Sequence, residues 1–353
     1  LPRCLILGQG LAGTLLAAEL LQEGCDILIA DPVEANTSSR VAAGMIHPVT
    51  GRRITKSWRV DEFLPFAIEI YREHEAFLKS SFYHEVKTLE LYKDIANCND
   101  WMSRSTDPTF INYFGNACPP SAVPKGIEPG LGGHYLKKGG WLNTRQYLDA
   151  WRKYFDRNGL LLEEVIEERE INFEESKALL RNQYFDFVID CRGAASAYGK
   201  WFGYLPFNMA KGEVLTIECK ALKTETILNK SVKLIPAATE GEFICGATFS
   251  WDELNNISTE EGKLELTTKI DKLLLLPYTI MQHRAGVRPA TDDRRPFLGQ
   301  HKSLKPLYIL NGFGSKGVLL GPWMARTMQE YLLKGIEIPD EINITRLQQK
   351  IEL

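Results

Sequence analysis

This sequence has little that would tie it to a membrane, a metal or an oxidising compartment. Its seven cysteines, at 4, 25, 98, 118, 191, 219 and 245, are odd in number and form no C-x-x-C pair. That excludes a regular disulfide framework and a cysteine zinc site, and predicts reduced thiols in a cytoplasmic protein with no bound metal. No apolar run reaches the roughly 18–20 residues that a bilayer-spanning helix needs. No basic stretch with a following apolar core, as in a secretory leader, precedes the strand-like run Leu5-Ile6-Leu7. Charge of one sign is also scarce. The net charge is −3, so bulk electrostatics gives no drive toward nucleic acid or an anionic membrane. Internal repeats and low-complexity tracts are absent. What is present is 353 residues, 44% of them apolar. That is enough to bury a sizeable core without staples, and long enough for two domains.

The first thirty residues carry the clearest pattern. Leu5-Ile6-Leu7 is a short apolar run that stops at Gly8. Leu15, Leu16, Leu20 and Leu21 then recur at helical spacing up to Gly24, and Ile27-Leu28-Ile29 forms a second buried strand closed by Asp31-Pro32. This is a βαβ unit, and its first turn reads Gly8-Gln9-Gly10-Leu11-Ala12-Gly13. Gly8 permits a tight turn, Gly10 lets the backbone approach a pyrophosphate, and Gly13 lets helix and strand pack closely. The helix N-terminus supplies free N–H groups and a positive dipole end. Asp31 sits where an acid accepts from a ribose hydroxyl, which argues against a 2′-phosphate and hence against NADP. The turn itself leaves FAD and NAD both open.

Further along, residues 60–80 read as an amphipathic helix and 82–93 as an antiparallel strand. Residues 115–140 show little periodicity. Asn143 can cap a helix running to Phe155, a strand follows near Leu160–Val165, and Phe185–Asp190 is a buried strand. Short β runs recur at Glu213–Glu218, Val232–Ile235 and Phe243–Ala247. Helical spacing returns at Thr259–Leu276, and the chain closes with a strand at Leu307–Leu310 and a helix from Val318 to Lys334. The two ends are of α/β type and the middle is β-rich. The fold class expected is α/β (α+β overall), a nucleotide domain built from separated segments with an antiparallel β-sheet domain inserted. The boundaries expected are 1–80, 141–208 and 284–353 for the first, and 81–140 and 209–283 for the second.

Four more motifs follow in order. They are Ser38 to Met45, Asp190-Cys191-Arg192-Gly193-Ala194, Arg284 to Gly299, and Asn311 to Val318. Together with the first turn they span residues 4 to about 333 and resemble the D-amino-acid-oxidase-like (DAO) superfamily of flavoproteins, which includes glycine oxidase and sarcosine oxidase. Within it, Ala42–Met45 is similar to the matching stretch of glycine oxidase. Gly139-Gly140-Trp141-Leu142, Ala285–Arg288 and Gly314–Gly317 are similar to the FAD domain of the bifunctional enzyme that makes 5-methylaminomethyl-2-thiouridine in tRNA. That enzyme also has a methyltransferase domain, which these residues do not include. Its tail-motif Arg is Lys316 here, and the tail-motif Arg of glycine oxidase is replaced by Ser315.

The resemblance implies a glutathione-reductase-like FAD-binding Rossmann domain and a substrate domain. It implies FAD held non-covalently, since Ile280, Met281 and Gln282 precede the Arg284 motif and Cys245 lies far upstream. Gly8, Gly10, Leu11, Ala12, Gly13, Asp31 and Pro32 would hold the ADP half, and Val165 would offer its backbone to the adenine. Ser39 and Arg40 would meet the pyrophosphate or ribityl chain. Ala43, Gly44 and Met45 would pass beside the isoalloxazine, and Cys191, Arg192 and Gly193 would close the cofactor site. Gly312, Phe313, Gly314, Ser315, Lys316, Gly317 and Val318 would set helix N–H groups near the flavin N1–C2=O locus. Arg288 would grip a substrate carboxylate, because a planar guanidinium suits a bidentate anion; the competing reading pairs it with Asp292 or Asp293. His47 is a catalytic candidate against a structural reading. Lys211 and Lys233 flank the inserted domain, with a solvated surface position favoured for each over one facing the flavin. Trp58, Trp141, Trp251 and Tyr278 are candidate pocket walls against a core reading.

The implied reaction is oxidation of a carbon–nitrogen bond in an amino acid or secondary amine. Hydride would pass to flavin N5 and the imine would hydrolyse, with no strong base needed if the amine binds unprotonated. The expected partner is a small amine or amino acid. Removal of a carboxymethyl group from a tRNA wobble uridine stands second, and a non-catalytic flavin-binding module third.

Overall fold

Strands that alternate no polar residues must be covered on both faces, and the Gly-rich turn lies at the end of such a strand. In the computed structural model, which describes residues 1–51 and 53–347, Arg3–Leu7 is central in a six-stranded sheet. Positions 348–353 of the expected 284–353 segment lie outside the described residues. The strand order is Leu161–Leu162, Asp26–Ala30, Arg3–Leu7, Phe187–Asp190, Leu307–Asn311, Phe297–Gln300. The first five run parallel and the last antiparallel. Helices Leu11–Gln22, Val60–Leu78, Thr144–Arg157 and Gly317–Lys334 cover one face through Leu15, Phe63, Tyr147 and Met324. Leu5, Val188 and Ile309 face a second core with Phe185, Trp201 and Phe202. Layers on both faces of a mostly parallel sheet make the α/β half of the fold.

The second large sheet has eight strands. Their order is Thr279–Arg288, Ala210–Glu218, Glu242–Gly246, Lys233–Pro236, Ile227–Asn229, Thr88–Leu91, Gly133–Leu136, Phe114–Cys118. Every pairing is antiparallel except Ile227–Asn229 with Thr88–Leu91, which is parallel and joins two distant stretches of chain.

Several expectations change at this level. The single antiparallel strand expected over 82–93 is two strands in different sheets. Tyr83–His84 pairs with Gly140–Leu142, which in turn pairs with Met45–Ile46. Thr88–Leu91 is buried at all four positions, so the apparent alternation reflected no solvent face. The quiet stretch 115–140 holds most of Phe114–Cys118 and all of Gly133–Leu136. Its glycines replace a side-chain pattern with close backbone contact, and a Cβ at Gly133 would run into the Glu90 carbonyl. The strand near 160–165 shrinks to Leu161–Leu162. The helix after Thr259 is Glu260–Asp271, with the Thr259 hydroxyl accepting from the Gly262 N–H at 3.0 Å. All seven cysteines are free thiols, and no helix among the described residues is long and apolar enough to cross a membrane.

Candidate active site

A cleft of about 1020 Å³ opens between the two large sheets, at the upper end of the range for small-molecule sites. One end is the Gly-rich turn. Gly8 has φ +99°, and a Cβ there would press within 2.7 Å of the Cys191 carbonyl oxygen. A Cβ at Gly13 would collide with the Gly8 carbonyl, so the helix packs directly on the turn. Gly10 is the N-cap of Leu11–Gln22 and makes no side-chain cap. Ser39 Oγ accepts from the Leu11 N–H at 3.0 Å. Asp31 accepts from the Gln9 N–H at 2.7 Å and from Arg152 Nη1 at 2.9 Å. Burial still raises its pKa above the ordinary carboxylate value, against those two donors.

The other end is the start of Gly317–Lys334, whose N-cap, Lys316, again lacks a side-chain cap. Two helix N-termini without a cap from their own N-cap side chains therefore open onto one cleft, the first with its Leu11 N–H already held by Ser39. That donor set fits an elongated, electron-rich dinucleotide, with phosphates at one terminus and a second acceptor at the other. FAD satisfies both ends.

Most of the residues expected at the cofactor line this cleft. They include Gly8, Gly10, Leu11, Ala12 and Asp31 at the turn, then Ser39, Ala43, Gly44 and Met45. Cys191, Arg192 and Gly193 follow, and Phe313, Gly314, Ser315, Lys316, Gly317 and Val318 close it. Arg192 turns its guanidinium away to Asp190 and Glu168, at 2.7 and 2.8 Å, and its backbone N–H also goes to Asp190, at 3.1 Å. Gly44, at φ +69°, is glycine because a Cβ would strike the Leu142 carbonyl, a strand contact rather than a ligand contact.

Five expected residues do not line the cleft. Gly13 sits beneath the turn, and Pro32 leads away from it. Gly312, at φ +79°, packs on Thr291 and Phe297. Arg40 is drawn off by Asp149 at 2.6 Å. Val165 is 58% exposed outside the cleft, because its strand ends at Leu162.

The remaining wall belongs to the eight-stranded sheet. Arg288 lines it, half-buried, its guanidinium over the Phe249 ring, and its Nη1 meets only the carbonyls of Lys211 and Thr248, each at 3.5 Å. No acid pairs with it among the described residues. Asp293 is taken by Arg346 at 2.9 Å, so the structural pairing considered for Arg288 is not formed. Desolvation pulls the Arg288 pKa down. His47 Nε2 lies 2.6 Å from Glu90 Oε1, and its Nδ1 is buried without a partner. Asn229 Nδ2 donates to both Glu90 oxygens, at 3.0 and 2.9 Å.

The solvated reading of the two lysines is corrected, because both sit on interior strands. Lys211 is buried, 3.0 Å from Asn255 Oδ1, and does not line the cleft. Lys233 does line it. Its burial lowers the ammonium pKa, with Glu90 opposing and Arg288 adding to the effect. Lys316 donates to Ser57 and Thr50 at 3.0 and 3.3 Å, and burial, then Arg294 and Arg295, depress it too. Trp58 lies under Arg295, Trp141 stacks on His84, Trp251 is exposed against Phe249, and Tyr278 bonds Asp271. None of these four lines the cleft; Trp101 does.

Glu90 and Asn229 escaped the sequence reading, and Lys233 entered it only as a lysine for which a solvated place was favoured over one facing the flavin. The one signal for them was Glu90 itself, a carboxylate within the apolar strand Thr-Leu-Glu-Leu, where burial demands partners.

Fold and cleft together define a dinucleotide-dependent oxidoreductase. Residues 3–331 match the family described as DAO, FAD dependent oxidoreductase. The chain belongs to that family, and its cofactor is FAD. Among curated relatives it is similar to the tRNA 5-methylaminomethyl-2-thiouridine biosynthesis bifunctional protein MnmC of Leptospira borgpetersenii, with 22% identity over 96% of this chain and 58% of the relative. It is also similar to glycine oxidase of Bacillus licheniformis, with 28% identity over 46% of this chain and 47% of the relative. The chain thus spans about half the length of the curated relatives it matches. Among solved structures, iminodiacetate oxidase from Chelativorans sp. BNC1 superposes with a TM-score of 0.82 at 20% identity, covering 96% of this chain and 98% of the other.

Proposed function

We propose that this chain oxidises a carbon–nitrogen bond in an amine that carries a carboxylate. The observation that supports this most directly is Arg288, a half-buried guanidinium in the cleft wall with no acid beside it among the described residues. An unpaired cation drawn out of water is costly unless a ligand supplies the anion. Bound FAD, held without a covalent link, supplies the acceptor for the two electrons that leave as hydride from the carbon next to nitrogen.

The protein's own residues do the rest. Arg288 clamps the carboxylate and so fixes the C–H bond. The Glu90–His47 pair takes the proton that the ammonium must shed before hydride can leave. Asn229 holds Glu90 in one orientation through both oxygens. Substrate handling then draws on both sets of expected segments: Glu90 and Asn229 lie in 81–140 and 209–283, whereas His47 and Arg288 lie in 1–80 and 284–353, segments expected for FAD. The imine product then hydrolyses in water.

A second reading is the same oxidation on a carboxymethylated uridine of tRNA. The match to MnmC over 96% of the chain favours it, and Arg288 would grip the carboxymethyl group. The open cleft argues against a non-catalytic flavin module. Anaerobic bleaching of the bound flavin decides among these, with amino acids, N-methyl amino acids and carboxymethylated nucleosides as the panel. Bleaching by amine carboxylates is expected. A flavin that none of them reduces would refute the proposal.

A further inference from the structure

The floor of the cleft is a row of cross-strand neighbours. Asn229 stands in register with Glu90 on one side and with Lys233 on the other, and Lys233 stands in register with Gly246. Partners directly opposite across strands share one face of a sheet, and all four residues line the cleft. Arg288 reaches the same row from the edge strand. Its guanidinium crosses Ala210–Glu218 above Gly212, where any Cβ would collide with it. It ends 3.5 Å from the Thr248 carbonyl, two residues beyond Gly246. Adjacent strands are about 4.8 Å apart, so Lys233 and Arg288 approach each other over Gly246, where the Val214 side chain packs and a Cβ would meet its Cγ1.

The charges in this row do not cancel. Glu90 has His47 and Asn229 as partners. Lys233, half-buried on the cleft wall, makes no hydrogen bond or ion pair among the described residues, and Arg288 has the two carbonyls and the face of the Phe249 ring. The wall thus presents one acid and two unpaired cations, both facing the cleft. A simple amino acid brings one carboxylate and one ammonium. It would satisfy Arg288 and Glu90 and leave Lys233 unmatched. Two carboxylates and one ammonium match the row charge for charge.

We infer that the substrate is an amino dicarboxylate, with one carboxylate on Arg288, the other on Lys233, and the ammonium proton on Glu90. This rests on the proposed amine oxidation and adds to it the substrate's second anion. Lys233 is then the residue that sets specificity.

The test compares aspartate, glutamate and iminodiacetate with their mono-esters, as kcat/KM for anaerobic flavin reduction. The wild-type protein should prefer the diacids by about 30- to 3,000-fold, the loss expected when one partner of a buried charge pair is removed. Lys233→Met should lose far more on the diacid than on the mono-ester, and Lys233→Arg should keep most of the preference. A second readout needs no turnover: thiodiglycolate, a thioether with two carboxylates, should perturb the flavin spectrum at much lower concentration than (methylthio)acetate, and that gap should close in Lys233→Met. The spectrum also reports whether the variant holds its flavin. Equal wild-type rates on diacid and mono-ester, or an equal loss on both in Lys233→Met, would overturn the inference. If no amine reduces the flavin while thiodiglycolate still binds through Lys233, the dicarboxylate site stands and the amine-oxidation reading falls.

Discussion

Arg288→Ala separates a ligand-binding role from a structural one with unusual clarity, because the guanidinium has almost nothing to lose inside the protein. Its hydrogen-bond partners are two carbonyls at 3.5 Å, at the outer limit of a hydrogen bond, beside a cation–π contact 5.7 Å from the Phe249 ring centroid. Removing it breaks no ion pair, so the variant should fold and keep FAD, with a melting temperature equal to or above the wild type. With substrate bound the balance reverses, since the carboxylate would be left unpaired in a dry pocket. Truncating one member of such a pair costs about 2–5 kcal/mol. At roughly 1.4 kcal/mol per decade, kcat/KM should fall about 30- to 3,000-fold. Arg288→Lys should recover only part, because a point charge lacks the bidentate fork. Stopped-flow reduction of the flavin under anaerobic conditions measures this, run in parallel on an amine acid and its ester. The ester should respond far less to the mutation. If acid and ester slow equally, or if the variant unfolds, Arg288 is a structural residue and the carboxylate argument fails.

Two further outcomes follow from other parts of the molecule. Acid precipitation of the wild-type protein should release FAD, whereas Gly10→Val should purify folded but colourless. The branched side chain would crowd Ser39 Oγ, already 3.2 Å from an added Cβ, and fill the phosphate approach; flavin retained at wild-type occupancy would mislocate the nucleotide site. His74 is buried between Tyr147 and Trp151, and desolvation lowers its pKa from 6.5 to about 4. The unfolded chain therefore binds a proton that the fold refuses, so stability is complete above pH 6.5 and declines as pH falls toward 4, by up to about 3 kcal/mol. Denaturant melts across that range should show the decline, and it should shrink in His74→Gln; an unchanged slope would remove His74 from the account.

The nucleotide half of the site was legible because its chemistry is written in local sequence. Gly8, Gly10, Gly13 and Asp31 lie within one βαβ unit, and their spacing encodes the turn. The Asn143 cap and the helix from Gly317 are local signals of the same kind. The substrate half was not legible in that way. Glu90, Asn229 and Lys233 come from three strands, and only pairing across the sheet brings them together. Lys233 read as a surface lysine since nothing near it in sequence says that its strand is interior. Arg40 failed for a related reason. Its competitor for the phosphate, Asp149, lies more than a hundred positions away on the Thr144–Arg157 helix. Thr279–Arg288 gave no strand signal, because an edge strand with one irregularly exposed face need not alternate.

The parallel pairing of Thr88–Leu91 with Ile227–Asn229 makes the charged wall of the cleft a product of long-range chain closure. Glu90 and Asn229 are 139 positions apart, and drawing the ends of such a loop together costs about 4 kcal/mol of chain entropy by the logarithmic law. On one side of the seam the Ile227–Asn229 and Lys233–Pro236 hairpin closes a far shorter loop. The six-stranded sheet likewise needs residues from both sides of position 140. A polypeptide emerging from the ribosome therefore has neither its cofactor cradle nor its charged floor until most of its length is available. Cutting the chain at an apparent domain boundary would deliver halves of two sites rather than one whole one.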